Sequence, residues 1–167
     1  MGCLGVLFAL TEMQVAALRK KKNDKARLEY VQEVIEERFF EESPELVAET
    51  DKSWDAIHRS LTDGSLAYNN GVFPLSHVIL GGESLYSSED YIMSLKNPDE
   101  VRDIARAIRT VSRDQLRAGY DRINPAEYGL PLTSKDFEYT WEWFSGLAPF
   151  WENAARSGRH VLFTADQ

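Results

Sequence analysis

The sequence has one cysteine in 167 residues, Cys3, so it cannot form an internal disulfide bond. Such sparse cysteine use is typical of proteins in a reducing cytosol. The apolar stretch at its start, MGCLGVLFAL, is too short to cross a bilayer and lacks the basic residues that precede a signal sequence. Val6 stands where a myristoylation site needs serine or threonine. We therefore expect a cytoplasmic protein with no membrane association.

Motifs for cofactors and metals are also missing. The sequence contains no GxGxxG, no P-loop and no CxxC pair. A zinc site needs three or four ligands, and His58, His77 and His160 are the only histidines. Asp55 and His58 have an i, i+3 spacing that can place both side chains on one metal, but this spacing is common by chance. We predict neither a cofactor nor a bound metal.

Basic residues are outnumbered, and the imbalance is local. The net charge of −8, with a pI near 4.9, argues against nucleic-acid binding. Residues 29–51 carry nine acidic side chains against Arg38 alone, which accounts for the whole net charge. This acidic segment predicts either a solvated helix face or a surface that binds another protein. On another predicted helix, Arg102, Arg106 and Arg109 form a basic face. This face predicts either a set of salt bridges or a site for a phosphate or an acidic partner.

The hydrophobic pattern predicts an α/β fold in a single domain, residues 1–167. A nearly continuous apolar run at residues 2–10 is typical of a strand covered on both faces. We therefore expect a small mixed sheet with helices packed on both faces, in three layers. The predicted helices span residues 11–21, 24–42, 51–62, 98–108, 112–120 and 134–156, and the other predicted strands span residues 77–80, 91–95 and 160–164.

The most distinctive segment is DKSWDAIHRSLT, residues 51–62, which follows a short connection at residues 45–50. On a helix, Trp54 lies in an apolar stripe, and His58 lies between that stripe and the acidic side formed by Asp51 and Asp55. Asp51 is a natural N-cap for this helix. His58 is thus a candidate general base oriented by either aspartate, a candidate metal ligand, or a hydrogen-bonded core residue.

A glycine pair after the predicted strand at residues 77–80 gives the second candidate feature. Gly81 and Gly82 can expose backbone amides to an anion, with Glu83 adjacent, although ordinary turn chemistry explains the same pair. Together with Trp54, these three residues are the candidate ligand-binding positions.

Several segments resemble those of the YfbM-like family of bacterial proteins. The matching segments are MGCLGVLFALT, DKSWDAIHRSLT, PLSHVILGGESL, the Tyr-rich strand leading into NPDEV, and the aromatic helix that closes with SGRHVLF. Their order and spacing match over nearly the whole chain. The resemblance implies a compact α/β domain in the bacterial cytoplasm. It implies no activity, because the family is one of unknown function.

Two functional hypotheses follow. The first is a non-enzymatic module that binds another protein through its acidic surface, in a regulatory or immunity-like role. The alternative is a small hydrolase or ligand-binding enzyme that uses Asp51, Asp55 and His58 beside the Gly81 and Gly82 turn, with the aromatic last helix as a wall. The two hypotheses differ in whether His58 faces a cavity.

Overall fold

A computed structural model describes residues 3–167. In this part of the chain, five strands form one sheet in the order β2-β1-β5-β4-β3. The strands are β1 (Gly5–Leu10), β2 (Val47–Asp51), β3 (Glu83–Ser84), β4 (Tyr91–Lys96) and β5 (His160–Asp166). The α/β fold predicted from the sequence is confirmed. Residue 2, included in the first predicted strand, lies outside the described residues.

All four strand pairings are antiparallel, so the sheet is not mixed as predicted. The prediction rested on the continuous apolar run of β1. That run is apolar because helices cover both faces of the sheet, which makes a central antiparallel strand as buried as a parallel one. Leu7, Phe8, Ala9 and Leu10 are all at most 1% exposed.

The helices are named in chain order. Capping boxes are present at Thr11, Asn97 and Ser112, and each sets the start of its helix. The α-helices are α1 (Glu12–Arg19), α2 (Asp24–Tyr30), α3 (Glu37–Glu42), α4 (Trp54–Leu61), α5 (Pro98–Ile108), α6 (Arg113–Tyr120), α7 (Pro125–Tyr128), α8 (Ser134–Ser145) and α9 (Leu147–Arg156). A π-helical segment, Val31–Glu36, joins α2 to α3, and short 3₁₀ turns span Pro44–Leu46 and Leu75–His77.

Two hydrophobic cores lie on the two faces of the sheet. Phe8 and Leu10 of β1 pack with apolar residues of α1, the π-helical segment and α3. Leu7 and Ala9 point to the other face and pack with α4, α5, α6, α8 and α9. This alternation along one strand produces the three layers that the sequence predicted.

The segment before α4 differs from its prediction. Residues 47–51 form the edge strand β2 instead of a connection, and α4 begins at Trp54 instead of Asp51. Thr50 is buried, and its hydroxyl donates to the Gly5 carbonyl at 2.8 Å. This strand is stabilised by its pairing with β1. Its own acidic sequence does not predict a strand. Asp51 ends the strand at φ 49° and is not a helix cap.

Two further elements differ from prediction. Residues 77–80 continue a 3₁₀ turn instead of forming a strand, and the turn closes with the Gly81 amide donating to the Ser76 carbonyl at 3.1 Å. The apolar residues there are buried in a loop packed on α5, which gives them a strand-like composition. The predicted helix at residues 134–156 is divided at Gly146 into α8 and α9.

Candidate functional site

A cavity of about 600 Å³ opens at the end of the sheet where β1 and β4 begin and β2 and β5 end. The π-helical segment forms part of its wall. We call it the acid-aromatic cavity. Its lining residues are Leu4, Gly5, Val6, Gln32, Glu36, Phe40, Glu49, Asp51, Tyr91, Trp143, Thr164 and Asp166.

Four carboxylates from three elements line this cavity. Glu36 comes from the π-helical segment, Glu49 and Asp51 from β2, and Asp166 from the end of β5. Among the described residues that line it, none is lysine, arginine or histidine. The cavity therefore carries negative charge that its own lining does not neutralise.

Aromatic side chains form the remaining wall. Tyr91 is only 6% exposed, and Trp143 is half-buried. Leu4 and Phe40 lie at the mouth, where they are 50% and 43% exposed. A partly enclosed space with apolar walls and a few polar groups is the usual form of a binding site in a protein.

Three irregular backbone features surround the cavity. π-helical turns are rare and occur often at functional sites, and here one carries Gln32 and Glu36. The pairing of β1 with β2 shifts register between Gly5 and Val6, which bends the strand at the cavity. Asp51 has a left-handed backbone, which costs free energy for a residue other than glycine.

The strained Asp51 is held by α8. The Tyr139 hydroxyl donates to its carboxylate at 2.7 Å and accepts from the Lys52 amide at 3.1 Å. Burial, together with the bond to Asp51, raises the pKa of Tyr139 to about 12. This hydroxyl therefore stays protonated and keeps donating across the physiological range.

Glu36 lies in a partly buried part of the cavity wall. Burial raises the pKa of Glu36, a hydrogen bond with Tyr91 lowers it in part, and the nearby Asp166 charge raises it further. Burial also raises the pKa of Tyr91, so that hydroxyl is neutral at physiological pH. Two like-charged groups held close together in a partly buried place are a common feature of functional sites.

This perturbation gives a stability prediction for Glu36→Gln. A raised pKa means that folded Glu36 holds its proton better than the unfolded chain does, so the protein loses stability as pH rises above the ordinary value of 4.5. Glutamine cannot ionise. We expect the variant to have the higher melting temperature at neutral pH, with the difference vanishing below pH 4.5.

Thermal unfolding by circular dichroism across this pH range checks it, with Glu33→Gln as the control. Glu33 is exposed on the same π-helical segment and does not line the cavity. A constant difference between Glu36→Gln and the native protein at every pH would contradict the prediction.

The three catalytic candidates, Asp51, Asp55 and His58, have different surroundings in the structure. Of these, Asp51 alone lines the acid-aromatic cavity. Asp55 forms an ion pair with Arg59 at 2.6 Å. His58 is 1% exposed, and its Nε2 lies 2.9 Å from the Ala67 carbonyl oxygen. The side chains thus have separate structural partners.

His58 organises the loop that follows α4. Its Nε2 is also 2.7 Å from the Asn70 side-chain oxygen, which fixes Nε2 as the protonated nitrogen because both neighbours accept. Its Nδ1 is buried and has no hydrogen-bond partner within residues 3–167. Burial lowers the pKa of His58, so the ring is neutral at physiological pH.

The candidate ligand-binding residues lie elsewhere. Trp54 is buried, donates from Nε1 to the Cys3 carbonyl at 2.7 Å and contacts the Phe163 ring. Gly82 has φ 133°, and Glu83 forms an exposed ion pair with Arg19 at 2.5 Å. Neither these residues nor Gly81 lines the acid-aromatic cavity.

The glycine turn is fixed by β4. The Ser94 hydroxyl donates to the Leu80 carbonyl at 2.7 Å, and the buried Lys96 Nζ donates to the Ile79 carbonyl. Burial lowers the pKa of Lys96 well below its ordinary value. A Cβ atom at position 81 would overlap the His77 ring, so close packing requires glycine at this position.

The arginine face of α5 is partly salt-bridged. Arg102 pairs with Asp99, and Arg106 pairs with Asp103 at 3.3 Å. These i, i+3 pairs are exposed and contribute little to stability.

Two properties of the described residues concern metals and membranes. Within residues 3–167, no three histidine, cysteine, aspartate or glutamate side chains come close enough together to hold one metal ion. Over the same range, no helix is both long and apolar enough to span a bilayer.

The fold and the cavity define an α/β protein with an antiparallel sheet and an acidic cavity at one end of that sheet. The sequence matches the family described as "Domain of unknown function (DUF1877)" over residues 1–164, and the chain belongs to this family. The crystal structure of YfbM from Escherichia coli, a protein of unknown function, is similar, with a TM-score of 0.65 and 22% sequence identity. The match covers 97% of this chain and 99% of that one.

These comparisons confirm the YfbM-like resemblance seen in the sequence. At this identity the structural likeness shows the fold alone. No curated protein matches the chain.

Proposed function

We propose that this chain is a protein-binding module that captures a positively charged side chain of its partner in the acid-aromatic cavity. One observation carries the proposal: four carboxylates face a partly enclosed space whose described lining has no cationic residue. A regulatory or immunity-like role in the cytoplasm fits such a module.

The acidic segment supports a protein partner over a free metal ion. Three of the four cavity carboxylates, Glu36, Glu49 and Asp51, belong to the acidic segment at residues 29–51. The other acidic residues of that segment add negative charge to the same part of the chain, which attracts a basic partner and raises the association rate. The exposed Leu4 and Phe40 at the mouth offer apolar contact to the residues that flank the captured side chain.

Binding is better supported than catalysis by the arrangement of the candidate residues. Asp55 is occupied by Arg59, and His58 by the loop after α4. The hydrolase hypothesis needs these side chains around a common substrate site, and their contacts give it no specific support. The binding hypothesis needs uncompensated charge in a cavity.

A panel of acetylated, amidated tripeptides tests the proposal. Each has glycine on both sides of a central lysine, arginine, glutamate or norleucine. We expect at least one cationic peptide to shift the backbone amide signals of Gly5, Gln32 and Asp166 in a nitrogen-15 NMR titration. The glutamate and norleucine peptides should leave these signals in place, because neither supplies positive charge.

The matched variants are Glu49→Gln with Asp166→Asn, and the control Glu33→Gln with Glu37→Gln. Both pairs remove two exposed negative charges, but only the first removes them from the cavity lining. We expect the first pair to weaken cationic binding about tenfold or more, because each carboxylate bonded to a cationic donor contributes roughly 1.5 to 3 kcal/mol. Equal affinity in both pairs, or no binding by either cationic peptide, would overturn the proposal.

A further inference from the structure

We propose that the acid-aromatic cavity is a site for the guanidinium group of an arginine and discriminates against the ammonium group of a lysine. The inference rests on the proposed function and specifies the partner: a protein segment that presents an exposed arginine.

The spacing of the carboxylates favours a guanidinium. Glu36, Glu49 and Asp166 lie on three different elements around a cavity of about 600 Å³, and no three acidic or histidine side chains in residues 3–167 can share one metal ion. A metal ion therefore cannot contact three of them together, and an ammonium donates all its hydrogen bonds from one nitrogen, so its reach is short. A guanidinium has five N–H donors spread over a planar fork, so it can reach acceptors that are apart.

The aromatic wall of the cavity also favours a guanidinium. Trp143, Tyr91 and Phe40 line the same cavity as the carboxylates. A guanidinium is planar and weakly hydrated, so it stacks on aromatic faces while its edge donates hydrogen bonds. An ammonium is strongly hydrated and loses more by leaving water for such a wall.

Elsewhere the protein contains arginines that bond to carboxylates and lie over an aromatic ring. Arg113 donates through both terminal nitrogens to Glu138, while its guanidinium lies over the Phe137 ring at 5.1 Å from the ring centre. Arg117 lies over the same ring at 4.9 Å and donates to Asp121 at 3.0 Å. In this outer site the arginines belong to the chain itself. The acid-aromatic cavity has the corresponding acids and rings, and its described lining lacks the arginine.

The burial of each carboxylate determines the orientation of the bound arginine. Glu36 is half-buried beside Tyr91, whereas Glu49 and Asp166 are exposed. The arginine enters between the outer carboxylates and ends at Glu36. The neutral Tyr91 hydroxyl can accept one of its N–H groups there. The flanking residues of the partner then meet Leu4 and Phe40 at the mouth.

The test compares three acetylated, amidated tripeptides with glycine on both sides of arginine, lysine or citrulline, and adds methylguanidinium as a free ligand. We expect the arginine peptide to bind about tenfold tighter than the lysine peptide, and the neutral, similarly shaped citrulline peptide to show no saturable binding. The NMR signals named above report the affinity. The arginine peptide should also bind tighter than methylguanidinium, because the free ligand lacks the flanking residues.

Each outcome has a separate meaning. Equal affinity for the lysine and arginine peptides overturns the guanidinium inference and leaves the proposed function in place. Binding of methylguanidinium as tight as that of the arginine peptide overturns the assignment of a protein segment as the ligand. Binding of citrulline equal to arginine, or no binding of any cationic peptide, overturns both proposals.

A tryptophan pair tests the stacking directly. We expect Trp143→Leu to reduce affinity for the arginine peptide severalfold and to leave affinity for the lysine peptide unchanged. Trp141→Leu is the control, because Trp141 lies on the same helix, is similarly half-buried and does not line the cavity. A retained NMR spectrum shows that both variants fold. Equal arginine affinity in the two variants would contradict stacking on Trp143.

Discussion

Replacing Gly119 by alanine is expected to lower the free energy of unfolding by about 3 kcal/mol, near the upper end of typical overpacking costs. Gly119 is buried on α6, where α6 crosses α4. A Cβ atom there would overlap the backbone carbonyl oxygen of Ser60. Because the obstacle is backbone, the helices must separate. The helix propensity of alanine gains only about 1 kcal/mol in return.

Urea denaturation followed by tryptophan fluorescence measures this effect. Gly146→Ala is the matched control, because Gly146 has a right-handed helical backbone and a Cβ there would lie 3.7 Å from its nearest neighbour, the Trp143 carbonyl oxygen. We expect the control to be neutral or stabilising by up to about 1 kcal/mol. A Gly119→Ala protein as stable as the control would contradict the close approach of α4 and α6.

The second large effect is expected for His58→Ala, which should lower the free energy of unfolding at neutral pH by roughly 2 to 4 kcal/mol. The substitution leaves a cavity in the core and removes the donor to Ala67 and Asn70. Asn70 in turn donates to Thr62 and Asp63. The loss therefore extends to the whole loop after α4.

The pH dependence of this effect has a definite sign. Because burial lowers the pKa of His58, the unfolded chain takes up its proton first as pH falls below the ordinary value of 6.5. The stabilisation from neutral His58 is thus complete above pH 6.5 and is lost progressively as pH falls toward its folded pKa. His58→Ala should flatten this slope.

Urea titrations at several pH values test both parts, with His77→Ala as the control. His77 is only partly buried and is within 3.4 Å of Glu100, so its loss should cost less. A His58→Ala protein with unchanged stability would remove His58 from the structural framework and restore its candidacy as a chemical group.

Local signals in the sequence were sufficient for most helices. Thr11, Asn97 and Ser112 each begin a helix through contacts with a residue three positions away, so the information is contained in a short segment. The strand β2 could not be predicted in this way. Its acidic residues have weak strand preference, and it forms because β1 lies beside it and accepts the Thr50 hydroxyl.

The candidate site was predictable only in part. The concentration of acid at residues 29–51 was visible, and Glu36, Glu49 and Asp51 from that segment line the cavity. Asp166, Tyr91 and Trp143 could not be connected with it, because they are distant in sequence and meet only when the sheet forms. The histidine, carboxylates and tryptophan of DKSWDAIHRSLT instead pointed to His58, whose contacts are those of a core residue.

The π-helical segment had no visible signal at all. Residues 31–36 continue the amphipathic pattern of the neighbouring helices, and nothing in their composition differs from an ordinary α-helix. Val31 and Ile35 of this segment pack in the core against β1. The position of Glu36 in the cavity is therefore a tertiary property.

The order of the sheet also determines when the protein can fold during synthesis. The last strand, β5, lies between β1 and β4 and pairs with both. A nascent chain that stops before residue 160 contains the β1–β2 and β3–β4 pairs with no strand to join them. On the ribosome, four strands are complete before the one that unites them emerges, and until then both halves expose edges that can pair with other chains.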